Sequence, residues 1–250
     1  MKSLPLALAL LVWGCGSGLP EREVLDVYAA SSLTEAFGEL ETLFEAAHPG
    51  IDVRLTLAGS QVLRLQIEQG APADVFASAD PAHVRTLADE GLVHGALAFA
   101  TNELVVIVPL ANPADIESFE ELPRARRIVL GTANVPAGRY AREVLGLASR
   151  RLGSGFGRRV LDRVVSEESN VRLARAKVEL GEADAALVYR TDAVSSERVR
   201  LIAIPDAMNV RASYVIGVVG DGGQAAALWV DLVLSDVGQA VLRRLGFGVE

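Results

Sequence analysis

The sequence predicts a two-lobed α/β fold, each lobe a mostly parallel sheet flanked by helices, the lobes joined by two crossovers. Twice near the start, at 24–37 and again at 51–69, an apolar strand pattern runs into a serine that opens a helix. Two such junctions close in sequence put the carboxyl ends of neighbouring parallel strands towards one site. Later, Gly181 to Tyr189 repeats the order of Gly70 to Ser78: helix, glycine, Ala-Asp, short apolar strand. Two related α/β units account for that echo. With 250 residues, 50% hydrophobic and 22% charged, the chain can bury one large core or two small ones.

Taken in order, the chain opens on a processing segment. Lys2 is followed by an apolar run from Leu4 to Trp13, too short for an ordinary membrane-spanning helix. It resembles a bacterial lipoprotein signal, with Val12, Trp13, Gly14 and Cys15 at the lipobox, so that residues 1–14 are removed and Cys15 carries the lipid. A cleaved signal with an incidental cysteine is the simpler alternative. Residues 15–23 form a tether. Cys15 is the single cysteine, so neither a disulfide framework nor a thiolate metal site is expected.

Val24 to Ala29 reads as a strand, and Leu33, Phe37, Leu40, Phe44 and Ala47 recur at helical spacing. His48-Pro49-Gly50 is a turn. Ile51, Val53, Leu55 and Leu57 alternate as a strand that ends at Ala58-Gly59-Ser60, and a helix follows to about Gln69. Val75 to Ser78 is a short strand, and Val84, Leu87 and Ala88 belong to a small helix ended by Gly91. Leu97 to Ala100 and Leu104 to Val108 read as two pieces, with a crossover near residues 100–104. The expected division is therefore 24–101 with 206–250 for one lobe and 102–205 for the other.

In the second lobe, Ile128 to Leu130 is a strand and Pro136 suits a first helical position. Leu147 to Arg159 is expected to be loose, with Gly153 to Gly157 as a glycine-rich linker. Val160, Leu161, Val164 and Val165 fit one helix. Asn170 precedes a helix from Val171 to about Leu180, and the strand at 185–189 ends on Tyr189. Pro205 to Ala207 is the second crossover, and the C-terminal helices return to the first lobe.

The formal net charge of −8 makes nucleic acid a poor partner. It leaves a small anion open, because backbone donors at a dry site act locally. Four helix starts are suited to that: Ser32, Ser60, Ala137 after Pro136, and Val171 after Asn170. Each leaves backbone N–H groups without an internal acceptor. Tyr189 adds a hydroxyl donor at a strand end. A shell made only of donors suits a fully deprotonated tetrahedral dianion and penalises one whose own O–H would find no acceptor. Residue by residue, simpler roles exist. Ser32 and Ser60 could each only cap a helix, Tyr189 could be a packed core tyrosine, and Ala137 and Val171 could be plain packing residues. Asp74, Asp80 and Asp184 lack the compact surroundings of a metal site. Arg139 and Arg190 could support loops near the cleft or contact a permease, and read most simply as a solvated face.

The motifs V-Y-A-A-S-S-L-T at 27–34, A-G-S at 58–60, Q-I-E-Q-G-A-P-A-D-V-F-A-S-A-D at 66–80, V-P-A-G-R-Y-A at 135–141, N-V-R at 170–172 and L-V-Y-R-T-D-A at 187–193, with L-R-R-L-G-F at 242–247, cover nearly the whole mature chain. In this set and order the chain resembles the periplasmic molybdate-binding proteins of ABC transporters, a family of the type II periplasmic-binding-protein fold. The resemblance implies capture of molybdate or tungstate between two lobes and delivery to a membrane permease, with no bond broken and no cofactor. By motif, Ser32 and Ser60 give hydroxyl and N–H groups, Ala137 and Val171 backbone N–H groups, and Tyr189 its hydroxyl. Ser31, where alanine is commoner, stands behind that shell. Molybdenum is held only as the oxyanion, with no direct protein ligand to the metal. The implied setting is the periplasm or the outer face of the membrane, as a monomer anchored through Cys15.

Other readings stay open on the residues. One is a binder of sulfate, phosphate or another oxyanion. A second is an enzyme with Ser32 as nucleophile, which needs a general base, and no histidine lies near it in sequence. A third is a ligand-sensing module for a membrane partner.

Overall fold

In the computed structural model the described residues are 22–249. The signal segment, Cys15, and all of the tether but its last two residues lie outside them, as does Glu250.

The first strand, β1 (Glu23–Ala30), is buried along most of its length and lies between two parallel neighbours, β2 (Ile51–Ala58) and β3 (Val75–Ser78). A strand with both faces covered needs a continuous apolar run, which Val24 to Ala30 nearly supplies. One face is covered by α1 (Thr34–Ala47), which turns Ala36, Phe37, Leu40 and Phe44 inward. Packed with it are α8 (Gly223–Leu234) and α9 (Asp236–Arg244), and Trp229 sits edge-on to Phe37 and Phe44 at 5.5 and 5.4 Å. The other face is covered by α2 (Ser60–Glu68) and α3 (Pro81–Asp89), whose Leu63, Ile67, Val84 and Leu87 meet Tyr28 and Phe76.

Two long strands run through the centre of the molecule. β4 (Val93–Pro109) pairs antiparallel with β9 (Arg211–Val219) over its first part and with β7 (Ala185–Tyr189) and β8 (Val199–Ala203) over its second. β7 in turn lies parallel to β5 (Ile128–Gly131), and β5 to β6 (Val164–Glu168). The strand order is β2-β1-β3-β9-β4-β7-β5-β6, with β8 beside β4. The expectation of mostly parallel sheets is therefore corrected to a mixed sheet flanked by helices. The parallel pairs are the βαβ units at either end, and every partner of β4 and β9 runs against them.

Three local expectations also change. Leu97–Ala100 and Leu104–Val108 are one strand, because Thr101-Asn102-Glu103 keeps its ladder with Ala212 and its neighbours on β9. The stretch 147–159 is mainly helical, in α4 (Pro136–Leu152) and α5 (Phe156–Leu161), with only a short turn between. Val164 and Val165 are in β6 and not in a helix, as suits β-branched residues with a parallel neighbour in β5.

The echo between the two halves has a physical basis. Asp74 accepts the Asp26 N–H at 2.7 Å and gives its own N–H to the Asp26 carbonyl at 2.8 Å. Asp184 does the same with Arg127, at 2.9 and 2.8 Å. In both halves the aspartate braces the start of one strand against its parallel neighbour. Its carboxylate acts there as a structural clamp. Among the described residues no cluster of His, Cys, Asp and Glu could hold a metal ion.

Candidate functional site

Ser32, Ser60, Ala137, Val171 and Tyr189 line one cavity, together with Ser31, Ala30, Gly59, Ala79, Pro136 and Asn170 among others. It is small, and no charged side chain lines it. Helix starts surround it. A single 3-10 turn (Ser31–Leu33) leads into α1, Ser60 opens α2, Pro136 and Ala137 open α4, and Val171 opens α6 (Val171–Glu179). The free N–H groups of a first helical turn, and the positive end of the dipole, thus gather around one space. Each of the five predicted residues is at most 4% exposed.

The side chains are set in particular ways. Neither the start of α1 nor that of α2 carries a side-chain cap, so Ser32 and Ser60 are not helix caps. The Ser60 hydroxyl oxygen accepts the Ala79 N–H at 3.1 Å, which leaves its proton to donate elsewhere. Ser32 Oγ lies 2.8 Å from the hydroxyl of Tyr214, on β9. Asn102, on β4, reaches Tyr214 at 3.5 Å and donates to Thr191 Oγ1 at 2.9 Å. Tyr189 is fully buried and its hydroxyl has no hydrogen-bond partner among protein atoms. Burial, with the neighbouring phenols of Tyr214 and Tyr140, holds its pKa well above the ordinary tyrosine value, so it stays a neutral donor. Ser31 lines the cavity, while its carbonyl accepts from Thr34 Oγ1 at 2.7 Å and from Arg172 Nε at 3.1 Å.

Around the rim, residues far apart in sequence are tied together. Gln61 Nε2 donates to the Ser169 carbonyl at 2.7 Å. Arg139 meets Asp80 at 2.6 Å while its guanidinium stacks 4.1 Å from the Tyr140 ring centre. Arg190 pairs with Glu103 at 2.5 Å, and both arginines stay well exposed, in keeping with a solvated face. Arg172 forks onto both carboxylate oxygens of Glu35. Burial raises the Glu35 carboxyl, but the Arg172 bond and charge outweigh it and leave its pKa below normal. Arg172 Nε also lies 2.8 Å from Asp192, at an angle that makes no hydrogen bond. Asp192 is completely buried, and that burial outweighs Arg172 and Arg175 and pushes its pKa up to about 6. Tyr214 and Glu35 did not stand out in the sequence, and Arg172 and Asp192 lay inside quoted motifs without a role assigned to them. Their partners lie at separations such as 182 residues for Ser32 and Tyr214, and no local pattern reports that.

Residues 25–248 match the family of bacterial extracellular solute-binding proteins. The chain is 36% identical to the molybdate-binding protein ModA of Mycobacterium tuberculosis, over 98% of this chain and 97% of the relative. It is 32% identical to ModA of Escherichia coli, over 94% and 93%. In fold it resembles the periplasmic molybdate-binding protein of Azotobacter vinelandii, with a TM-score of 0.77 at 19% identity over 90% of this chain and 99% of that one. The chain therefore belongs to the bacterial extracellular solute-binding proteins, a non-catalytic binding family, and is related to the ModA-type molybdate-binding proteins.

Proposed function

We propose that this protein captures molybdate or tungstate outside the cell and delivers it to the permease of an ABC transporter. The observation that carries the reading is a buried cavity ringed by helix starts and uncharged hydroxyls, one of them the unpartnered Tyr189, with no charged side chain lining it. An acceptor-only dianion satisfies such donors, and each charge-assisted bond contributes about 1.5 to 3 kcal/mol. The ModA relatives bear the names of molybdate binders, which favours that anion over sulfate or phosphate.

On this reading Ser32 and Ser60 serve from one lobe and Ala137, Val171 and Tyr189 from the other. The two lobes meet along the β4 and β9 strands near Asn102 and Ala212. Closure brings both sets of donors to one anion, and the Gln61, Arg139 and Arg172 bonds hold the closed form. Cys15 carries the lipid that keeps the protein at its membrane partner. Calorimetric titration with molybdate, tungstate, sulfate and phosphate tests the reading. Molybdate or tungstate should bind tightest, and Ser32→Ala and Ser60→Ala should each weaken it roughly ten- to a hundredfold with folding intact. Phosphate as the tightest ligand, or unchanged affinity in both variants, would overturn it.

A further inference from the structure

We infer that Tyr214 is a positioning residue that orients the Ser32 hydroxyl as a hydrogen-bond donor into the cavity; this rests on the proposed oxyanion-binding role. The direction of each bond follows from Asn102. Its Oδ1 accepts the Glu103 N–H at 3.0 Å, so the atom facing Tyr214 and Thr191 is Nδ2, which can only donate. Tyr214 therefore receives a proton from the Asn102 side and cannot give its own there. Its proton goes to the remaining polar neighbour, Ser32 Oγ, at 2.8 Å.

Ser32 Oγ is then already an acceptor, and its single proton is left to point into the cavity that Ser32 lines. A chain of donors aligned in this way strengthens its last member. With its proton committed to the cavity, Ser32 is oriented as a donor before any anion arrives. Tyr214 does not line the cavity. Its ring is held edge-on by Phe99, Tyr189 and Phe247 at 6.1, 5.7 and 5.4 Å, which fixes where its hydroxyl sits. Burial keeps that hydroxyl protonated by driving its pKa far above the ordinary value.

The test is a double-mutant cycle read by calorimetry with molybdate near neutral pH. Tyr214→Phe keeps the ring and removes the hydroxyl. It should weaken molybdate about three- to tenfold. In the Ser32→Ala background the same change should cost nothing further, because Tyr214 acts only through that serine. Thermal unfolding of each variant checks that the ring packing survives. Without any ligand, the NMR shift of the Tyr214 ring carbon that bears the oxygen should move on Ser32→Ala, since the phenol loses its acceptor. An equal Tyr214→Phe penalty with and without Ser32, or a ring-carbon shift indifferent to Ser32→Ala, would overturn the role of Tyr214 alone. A wild-type protein that binds none of the oxyanions would instead overturn the functional reading and this role with it.

Discussion

The Tyr189 hydroxyl has no partner among protein atoms, although a buried O–H without one costs about 1 to 3 kcal/mol. A group kept at that cost in a packed interior is kept for something it meets only part of the time. Tyr189→Phe should accordingly leave the melting temperature of the ligand-free protein unchanged or higher, while weakening the anion by roughly tenfold or more. Scanning calorimetry and titration on the same sample check both halves. Asp192 gives the second residue-scale prediction. Its folded pKa, about 6, lies above the unfolded value of 3.8, so the native state holds the proton more tightly. The sign follows: its contribution to stability is fullest at low pH and falls as pH rises from 3.8 to about 6. Asp192→Asn cannot ionise, and denaturant titrations across that window should show the wild type losing ground to it as pH rises. A constant gap would show that folding leaves the Asp192 pKa where it stands in the unfolded chain.

At the scale of elements, the site depends on how closely helix starts approach their neighbours. A Cβ at Gly138, in the first turn of α4, would stand 2.2 Å from the Thr132 carbonyl oxygen and 2.3 Å from that of Gly131. Gly138→Ala should push α4 off β5 and destabilise the fold by about 1 to 3 kcal/mol, measurable by denaturation. A Cβ at Gly59, before α2, would stand 2.3 Å from the Ser169 carbonyl, across the rim. Gly59→Ala should chiefly weaken anion binding, with a smaller loss of stability than Gly138→Ala. The reverse ranking would mean that the Gly59–Ser169 approach is part of the core. Most of these elements were legible in the sequence, since strand runs, helical spacing and the Ser32, Ser60 and Pro136 junctions are local patterns. Those that were not were decided by neighbours. Val164 and Val165 follow a helical face as well as a strand, and only the ladder with β5 selects β6. Thr101-Asn102-Glu103 looks like a break until β9 is beside it.

Across the whole molecule, the contacts at the rim join residues that the proposed lobes hold apart. Arg172 on α6 grips Glu35 on α1, and Arg139 on α4 grips Asp80 at the start of α3. Glu35→Gln should loosen closure and weaken apparent affinity by about two- to fivefold. The effect is modest because Glu35 is over a third exposed and solvent screens its charge. Small-angle scattering of the ligand-free variant should give a larger radius of gyration than the wild type. Because the Glu35 pKa is depressed, its support is present above the ordinary carboxylate range and is lost as pH falls through the lowered value. An affinity indifferent to Glu35→Gln would remove this latch from the account.

From the chain alone one could read the α/β class, the order of its elements, and which residues stand at helix starts, because hydrophobic period and turn chemistry act over a few neighbouring positions. The motifs carried the family in the same way. Three things came only with tertiary structure: the antiparallel course of β4 and β9, the gathering of Ser32, Ser60, Ala137, Val171 and Tyr189 about one cavity, and the contact between Tyr214 and Ser32. These depend on groups brought together across tens to nearly two hundred residues, where distance along the chain says nothing of distance in space and only packing sets which donor meets which acceptor.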